Sequence, residues 1–475
     1  MPSSYEWEAF TQWARDFNTD ILHLEVPGSS IIVLDTYEAA VDLLEKRSRY
    51  YSGRPNFPMA VDLMQLDFNF ALKPYGERDR HRLMHGAMHP TAVGKYHAQE
   101  LKATHAFLRA MLNAGEDDVE KELRHMAGMV IMDVAYGISV AEKDDLYIKE
   151  AEDVVRIQSV AVLPSSYLVN LIPALKYMPE WVPGASFKRT ARVWREKARK
   201  IIYRPFFDVK FSMVSCDKGD AVTPSFISSA IEKGIDDAVI VDAAATMHTA
   251  GTDTTVITLV DFVLGMLDNP ASQRRAQAEL DAVLGPLKTS VGAPGQLPVH
   301  ADEPRLPFIT AIVRETLRWM PALAISIPHA YTSEEPDIYK GYAIPPGSLV
   351  ISNVWSMCHD ERMYPDPYTF KPERFLTPQG TLDSSVRNPA ELAFGFGRRN
   401  CLGRHFAYDE TWLTVASILR VYNIEKAKRP DDSLIEPRRE WRSGILLQPM
   451  QYKCRFVPRS AGAVDLIKST EGTIY

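Results

Sequence analysis

The stretch 393–407, "AFGFGRRNCLGRHFA", decides how the rest of the chain is read. It sets Cys401 among three glycines and three arginines. Such a loop offers little apolar surface, so the thiol is displayed rather than packed into a core. An isolated cysteine is most often an inert buried thiol. The other cysteines, Cys216, Cys358 and Cys454, are widely spaced and form no CxxC pair. That disfavours a disulfide framework or a structural zinc site and fits a reducing compartment.

A cysteine thiolate is a good axial ligand for haem iron and pushes electron density onto the metal. Glycines let the backbone come close to a flat macrocycle, which assigns that task to Gly397 and Gly403. A helix expected over 402–421 starts at the cysteine, so its N-terminal N–H groups can stabilise the thiolate. Phe394 can shield the sulfur from water. The pattern Phe394-x-x-Gly397-x-Arg399-x-Cys401-x-Gly403 resembles the haem-binding signature of the cytochrome P-450 superfamily. Its five fixed positions fall within ten residues, which makes it specific. The resemblance implies haem b held through Cys401, with Arg399 on a propionate.

Three further stretches resemble the family in its chain order. Glu315-x-x-Arg318 in "ETLR" places two residues on one helix face, and Arg374 in "FKPERF" (370–375) completes the implied Glu–Arg–Arg network. A buried network of this kind is costly unless complete, so loss of one member should prevent haem incorporation. "AGTDTT" (250–255) resembles the oxygen-activation motif. There Ala250-Gly251 would leave room for O2, Thr254 would hydrogen-bond it, and Asp253 would relay protons from water. The segment 328–348, "PHAYTSEEPDIYKGYAIPPGS", resembles the family's β region and makes His329 a propionate contact. By family position the substrate cavity takes Thr246, Met247, residues 323–327 with Ala324 and Ile325, and Gly444 with Ile445.

One region departs from the family. Residues 75–89, "YGERDRHRLMHGAMH", contain no tryptophan, and Arg78 stands in its place. His81 and Arg82 remain as propionate contacts. His81, His85 and His89 fall at i, i+4 and i+8 on one helical face, a spacing that could also hold zinc. No carboxylate or cysteine is positioned by sequence to complete that site, so a basic face near haem is the better reading.

At the scale of the chain, 475 residues with 46% hydrophobic and 24% charged side chains describe a globular protein large enough to enclose a cavity. A formal net charge of −7 speaks against nucleic-acid binding. Alternation predicts a hairpin over 22–35 around Pro-Gly-Ser-Ser. Apolar spacing predicts helices over 40–47, 97–114, 118–137, 186–206, 235–268, 271–284 and 307–319. Short strands follow over 324–355, then an irregular meander over 360–392. The fold expected is mainly α with a small β portion: one domain over 1–475, with the long central helix lying over haem.

The N-terminus lacks an apolar run, so the membrane anchor that related fungal enzymes carry is expected to be absent here. The family form belongs at the cytosolic face of the endoplasmic reticulum membrane. Residues 163–187 are apolar and aromatic and suit either a lid or a face dipping into a membrane surface. "FNTDILHLEV" (17–26), "DLLEKRSRYYSGRP" (42–55) and "LKYMPEWVPGASFKRTARVWRE" (175–196) resemble basidiomycete enzymes of secondary metabolism, a group that includes tryptamine 4-monooxygenases.

The resemblance implies hydroxylation of an apolar or aromatic small molecule, such as a terpenoid or an indole. Electrons would come from NADPH through a separate reductase, with cytochrome b5 as a second donor, since no dinucleotide-binding fingerprint is present. Arg398, Arg404 and the basic run 78–82 would serve either as the docking face or as propionate partners. Two rivals stand beside this reading. One is a peroxide-using or peroxide-rearranging haem-thiolate enzyme, and the other is a non-catalytic haem-binding paralogue.

Overall fold

The computed structural model describes all residues except 1–3, 27–28, 77, 142–144, 163–165, 216–222, 288–294, 443 and 474. The helix Asp237–Asp268 organises the rest. It is apolar on every side, so it can be satisfied only inside a core. It is long and apolar enough to cross a membrane by length and composition, yet 78% of its apolar window is buried inside the protein. Asp236 caps its start by accepting from the Ala238 and Val239 N–H groups. Asn269 ends it, and Pro270 opens the next helix, Pro270–Leu284. Packed against this central helix are Arg78–Met88, Val119–Tyr136, Leu146–Ala161, Ser186–Ser215, Pro307–Trp319 and Arg404–Val421.

The expected helices are present with shifted ends. The one predicted over 186–206 continues to Ser215, because buried Phe206 and Val209 carry its apolar face past Pro205. The one predicted from residue 402 begins at Arg404. Leu146–Ala161 was not anticipated by apolar spacing, although Ile148, Ala151, Val154, Val155 and Ile157 bury one face of it.

The β portion is small. Strands β1 (Ile21–Val26) and β2 (Ser29–Leu34) form the predicted antiparallel hairpin, whose turn residues 27–28 lie outside the described residues. They are followed by β3 (His329–Ala330), β4 (Asp337–Tyr339), β5 (Tyr342–Ile344) and β6 (Leu349–Ser352). Strand β2 pairs in parallel with β6, setting Ile31 opposite Leu349, and β3 closes the edge, giving the order β1-β2-β6-β3. This sheet brings His329 to the end of the central helix's cavity. Strands β4 and β5 pair with each other, as do β7 (Tyr422–Lys426) and β10 (Cys454–Pro458), and β8 (Trp441–Arg442) and β9 (Gln448–Pro449).

The meander is irregular but tightly held. Glu315 and Arg318 are fully buried on the helix Pro307–Trp319. Arg318 donates Nε and Nη2 to the two Glu315 oxygens, each at 2.8 Å, and Nη1 to the carbonyls of Cys358 and Pro367. Arg374 donates Nε to the same carboxylate at 3.1 and 3.2 Å, and the Lys371 N–H donates to it at 2.6 Å. The side chains of Arg318 and Glu315 are 0% exposed and Arg374 is 5% exposed, so none of these charges is screened by water.

Buried imidazoles set the acid limit of this fold. Burial pushes His105 and His248 down to about 4, and burial with the nearby Arg318 charge takes His359 down to about 3. Unfolding lets each regain its ordinary affinity for a proton, so the unfolded chain binds more protons below about pH 6.5. Stability is therefore expected to fall as pH drops from about 6.5 toward 4, by roughly 3 kcal/mol for His248 alone. Denaturant unfolding across this range tests it, and a flat profile would contradict the burial of these rings.

Candidate active site

The loop after the meander turns its cysteine inward. The Cys401 N–H donates to the Phe394 carbonyl at 2.8 Å, closing the loop on itself. Cys401 is accessible by area because it faces a cavity of about 310 Å³ rather than bulk solvent. Burial raises its thiol pKa, opposed by the Gly403 N–H and the Arg404 charge. A metal ion or other positive centre in the cavity is what would make the thiolate stable there. The helix begins three residues beyond the cysteine, so the stabilising donor is the Gly403 N–H rather than the full first turn.

The glycines divide the work differently from the expectation. Gly397 has φ +59°, and a Cβ there would lie 2.1 Å from the Leu44 carbonyl oxygen. Its constraint is the close approach of Leu44 and Glu45. Gly403, by contrast, has open space where its Cβ would be. A flat ligand can lie against it.

The central helix forms the wall across the cavity from the cysteine loop. Ala250, Gly251 and Thr254 line it, together with Thr246 and Met247 one turn earlier. A Cβ on Gly251 would sit 3.0 Å from Ile131 Cδ1, so this glycine admits the neighbouring helix as well as opening the wall. The Thr254 hydroxyl donates to the Ala250 carbonyl at 3.0 Å, leaving its lone pairs free to accept. Asp253 does not line the cavity. Its carboxylate is paired with Arg124 of the helix Val119–Tyr136, and Glu120 and Glu152 flank the same guanidinium. Burial raises the Asp253 carboxyl, and the Arg124 charge opposes that rise.

A cationic rim lies at one side. His329 is buried, and its Nδ1 donates to the Tyr51 carbonyl at 2.7 Å. Burial and the Arg54 charge hold its pKa well below the usual imidazole value. Arg399 donates to the carbonyls of Ser52 and Lys73 at 2.9 and 2.8 Å. Arg54, which sequence reasoning missed, is also buried on this rim. It donates Nε to Ala71 and Nη1 to Ile327 and Pro328, all backbone carbonyls. Among the described residues no carboxylate pairs with it, and burial with Arg399 nearby pushes it down to about 9. A buried guanidinium whose partners are all neutral is an unmet demand for an anion. A haem fits this set of donors: a soft thiol on one side for the metal, open space over Gly403, and cations placed for propionates. The sequence signal for Arg54 was "SGRP" (52–55), an arginine set between a glycine and a proline after a basic run.

Other expected site residues lie elsewhere. Arg82 is 80% exposed and 3.8 Å from Asp79, on a basic surface pocket shared with Arg78, His85 and Arg404. His81 lines both that pocket and the main cavity. The rings of His81 and His85 stack and His89 meets His85 edge-on, but among the described residues their ligating atoms do not converge, and His89 Nδ1 bonds Thr91. Ala324 and Ile325 turn away from the cavity. The Ala324 carbonyl accepts from the Trp355 N–H, and Ile325 packs toward the cluster of Phe10 and Leu22. Leu323, Ser326 and Ile327 line the cavity instead. Ile445 packs against the main core and is not part of the lining.

Comparison with known proteins accords with this geometry. The family described as "Cytochrome P450" matches residues 5–456. Cytochrome P450 monooxygenase 98 of Postia placenta is 39% identical over 485 residues, covering 100% of this chain and 90% of that protein. Tryptamine 4-monooxygenase of Psilocybe cyanescens is 36% identical, covering 99% of this chain and 91% of that protein. A zebrafish cytochrome P450 solved with progesterone shares the fold with a TM-score of 0.74 at 22% identity, covering 96% of this chain and 100% of that one.

Proposed function

This chain belongs to the cytochrome P450 family and is a monooxygenase; from that premise we propose that it hydroxylates a neutral, apolar small molecule with electrons from a separate NADPH-dependent reductase. Residues 1–475 act as one catalytic unit in this reading. The observation that carries it is the placement of the Cys401 sulfur across one cavity from Ala250, Gly251 and Thr254, with Arg54, Arg399 and His329 on its rim.

Bound haem supplies the redox-active iron at which O2 is reduced. The protein's own residues do the rest. Cys401 would hold the iron through its thiolate, and Phe394 would keep water from the sulfur. Arg54 and Arg399 would neutralise the propionates, with His81 beside them on the cavity lining. His329 already uses Nδ1–H on Tyr51, so it meets a propionate only through a protonated Nε2. Thr254 accepts and passes a proton at its hydroxyl oxygen. Asp253, held off the cavity by Arg124, would take that proton from water and pass it to Thr254 on leaving Arg124.

The cavity wall supports a neutral substrate. Phe70, Met84, Ile131, Met247, Leu317 and Leu323 line it, and no aspartate or glutamate does among the described residues. An ammonium group would therefore be buried without a counter-charge. A terpenoid suits this wall better than a protonated amine such as tryptamine. The exposed Leu168, Tyr177 and Trp181 point outward and do not line the cavity, which supports a membrane-touching face near the endoplasmic reticulum rather than a lid.

Thr254→Ala is the direct test of the proton path. Haem content and NADPH oxidation should persist, while product formation falls by roughly 10²-fold with hydrogen peroxide released instead. Fully coupled turnover in that variant would remove Thr254 from the path. Product made without NADPH and reductase, from added peroxide alone, would favour the peroxide-using alternative.

A further inference from the structure

Away from the cavity, where the helix His97–Met111 meets the turn His300–Arg305, three ligand-type side chains converge. One ligating atom each from His97, Glu100 and His300 lies within 4.8 Å of the others. His97 and Glu100 stand at i and i+3, on one face of their helix. We propose that these three residues bind a divalent cation of the zinc class, which ties the helix to the turn.

The second observation is Glu100 itself. Its side chain is 0% exposed, and among the described residues neither carboxylate oxygen accepts a hydrogen bond. His300 Nε2 comes within 2.6 Å of Glu100 Oε2, but the approach is not aligned as a hydrogen bond, and that nitrogen also has no partner. A buried carboxylate facing an unaligned imidazole nitrogen is an arrangement that an ion between or beside them would satisfy. Two imidazoles and one carboxylate form a common donor set for zinc, with a fourth position left to water.

The surroundings are right in charge. The Asp409 carboxylate is 3.3 Å from His97 Nε2, an anionic neighbour of the kind that orients metal-bound imidazoles. Glu410 is buried close enough for its charge to oppose that of Glu100. The local excess of negative charge favours a dication. His97 is 35% exposed, which gives an ion a way in. The two rings now stack with centroids 3.6 Å apart and planes 8° from parallel, so they must splay to aim at one ion. The turn leads directly into the helix Pro307–Trp319 that carries Glu315, so the tie steadies the base of the buried ion network.

The rival occupant is a proton on Glu100. The two are separated with haem-loaded protein stripped by a chelator and titrated with Zn²⁺ by calorimetry, and with Co²⁺ by its visible ligand-field bands. The expected result is one equivalent bound, with four-coordinate Co²⁺ bands. Glu100→Gln and His300→Ala should each weaken binding at least about tenfold, while His85→Ala, in the other histidine row, should not. Zn²⁺ should raise the unfolding temperature of the parent and not that of Glu100→Gln. The isosteric glutamine keeps the test valid if the alanine variant folds poorly. The proposal is overturned if no ion binds, if both variants bind as the parent does, or if His85→Ala alone abolishes binding.

Discussion

Cys401→Ser is expected to fold as the parent does and to lose the thiolate-type Soret band of the reduced carbon-monoxide complex. The side chain is nearly isosteric, it faces the cavity, and the loop is closed by the backbone bond from Cys401 to Phe394, which serine retains. Stability should change by no more than about 1 kcal/mol. A serine hydroxyl is a far weaker acid than the thiol, so it supplies no anionic ligand to push electron density onto iron, and turnover should drop to background. The measurement is the difference spectrum on a haem-loaded sample, beside a denaturant unfolding curve. A parent protein that carries haem without the thiolate-type band would sink the assignment of Cys401.

Glu315→Gln should act on the fold instead. Glutamine keeps the shape but removes the negative charge that bonds both Arg318 and Arg374. Arg318 is left fully buried with only carbonyls and an amide around it. Breaking a buried pair in this way costs about 3–5 kcal/mol, a large share of the roughly 5–15 kcal/mol that holds a domain folded. The expected protein is expressed poorly, unfolds at lower denaturant and takes up little haem. The surface pair Arg362–Asp360 is the contrast: Arg362→Ala should cost no more than about 1 kcal/mol. Equal stabilities for the two variants would show that the Glu315 network contributes nothing special.

How much of this was legible follows a physical line. Cys401, Glu315 with Arg318, and Ala250 to Thr254 were each picked out by resemblance to family motifs, which are recognisable because the spacing of each lies within one loop or one helix. Local geometry translates such spacing directly into a face. The long apolar run 235–268 likewise had only one place to go, a core. Arg374 came from resemblance, and its bonds to Glu315 accord with that placement. The assignments that moved did so because another segment arrived. Gly397 answers to Leu44, Asp253 to Arg124, and Ala324 to Trp355.

The sequence by itself therefore determined the mainly helical class and the family, and through that resemblance it carried the expectation of Cys401 as thiol ligand facing Ala250 to Thr254. Those depend on periodicity and on short, specific spacing. Only the tertiary structure decided that Arg54 is a buried cation answered by carbonyls, that Asp253 is held off the cavity, and that His97, Glu100 and His300 meet. Each of these joins residues far apart in the chain. Their proximity is set by how the apolar faces of separate helices close on one core, which no local pattern encodes.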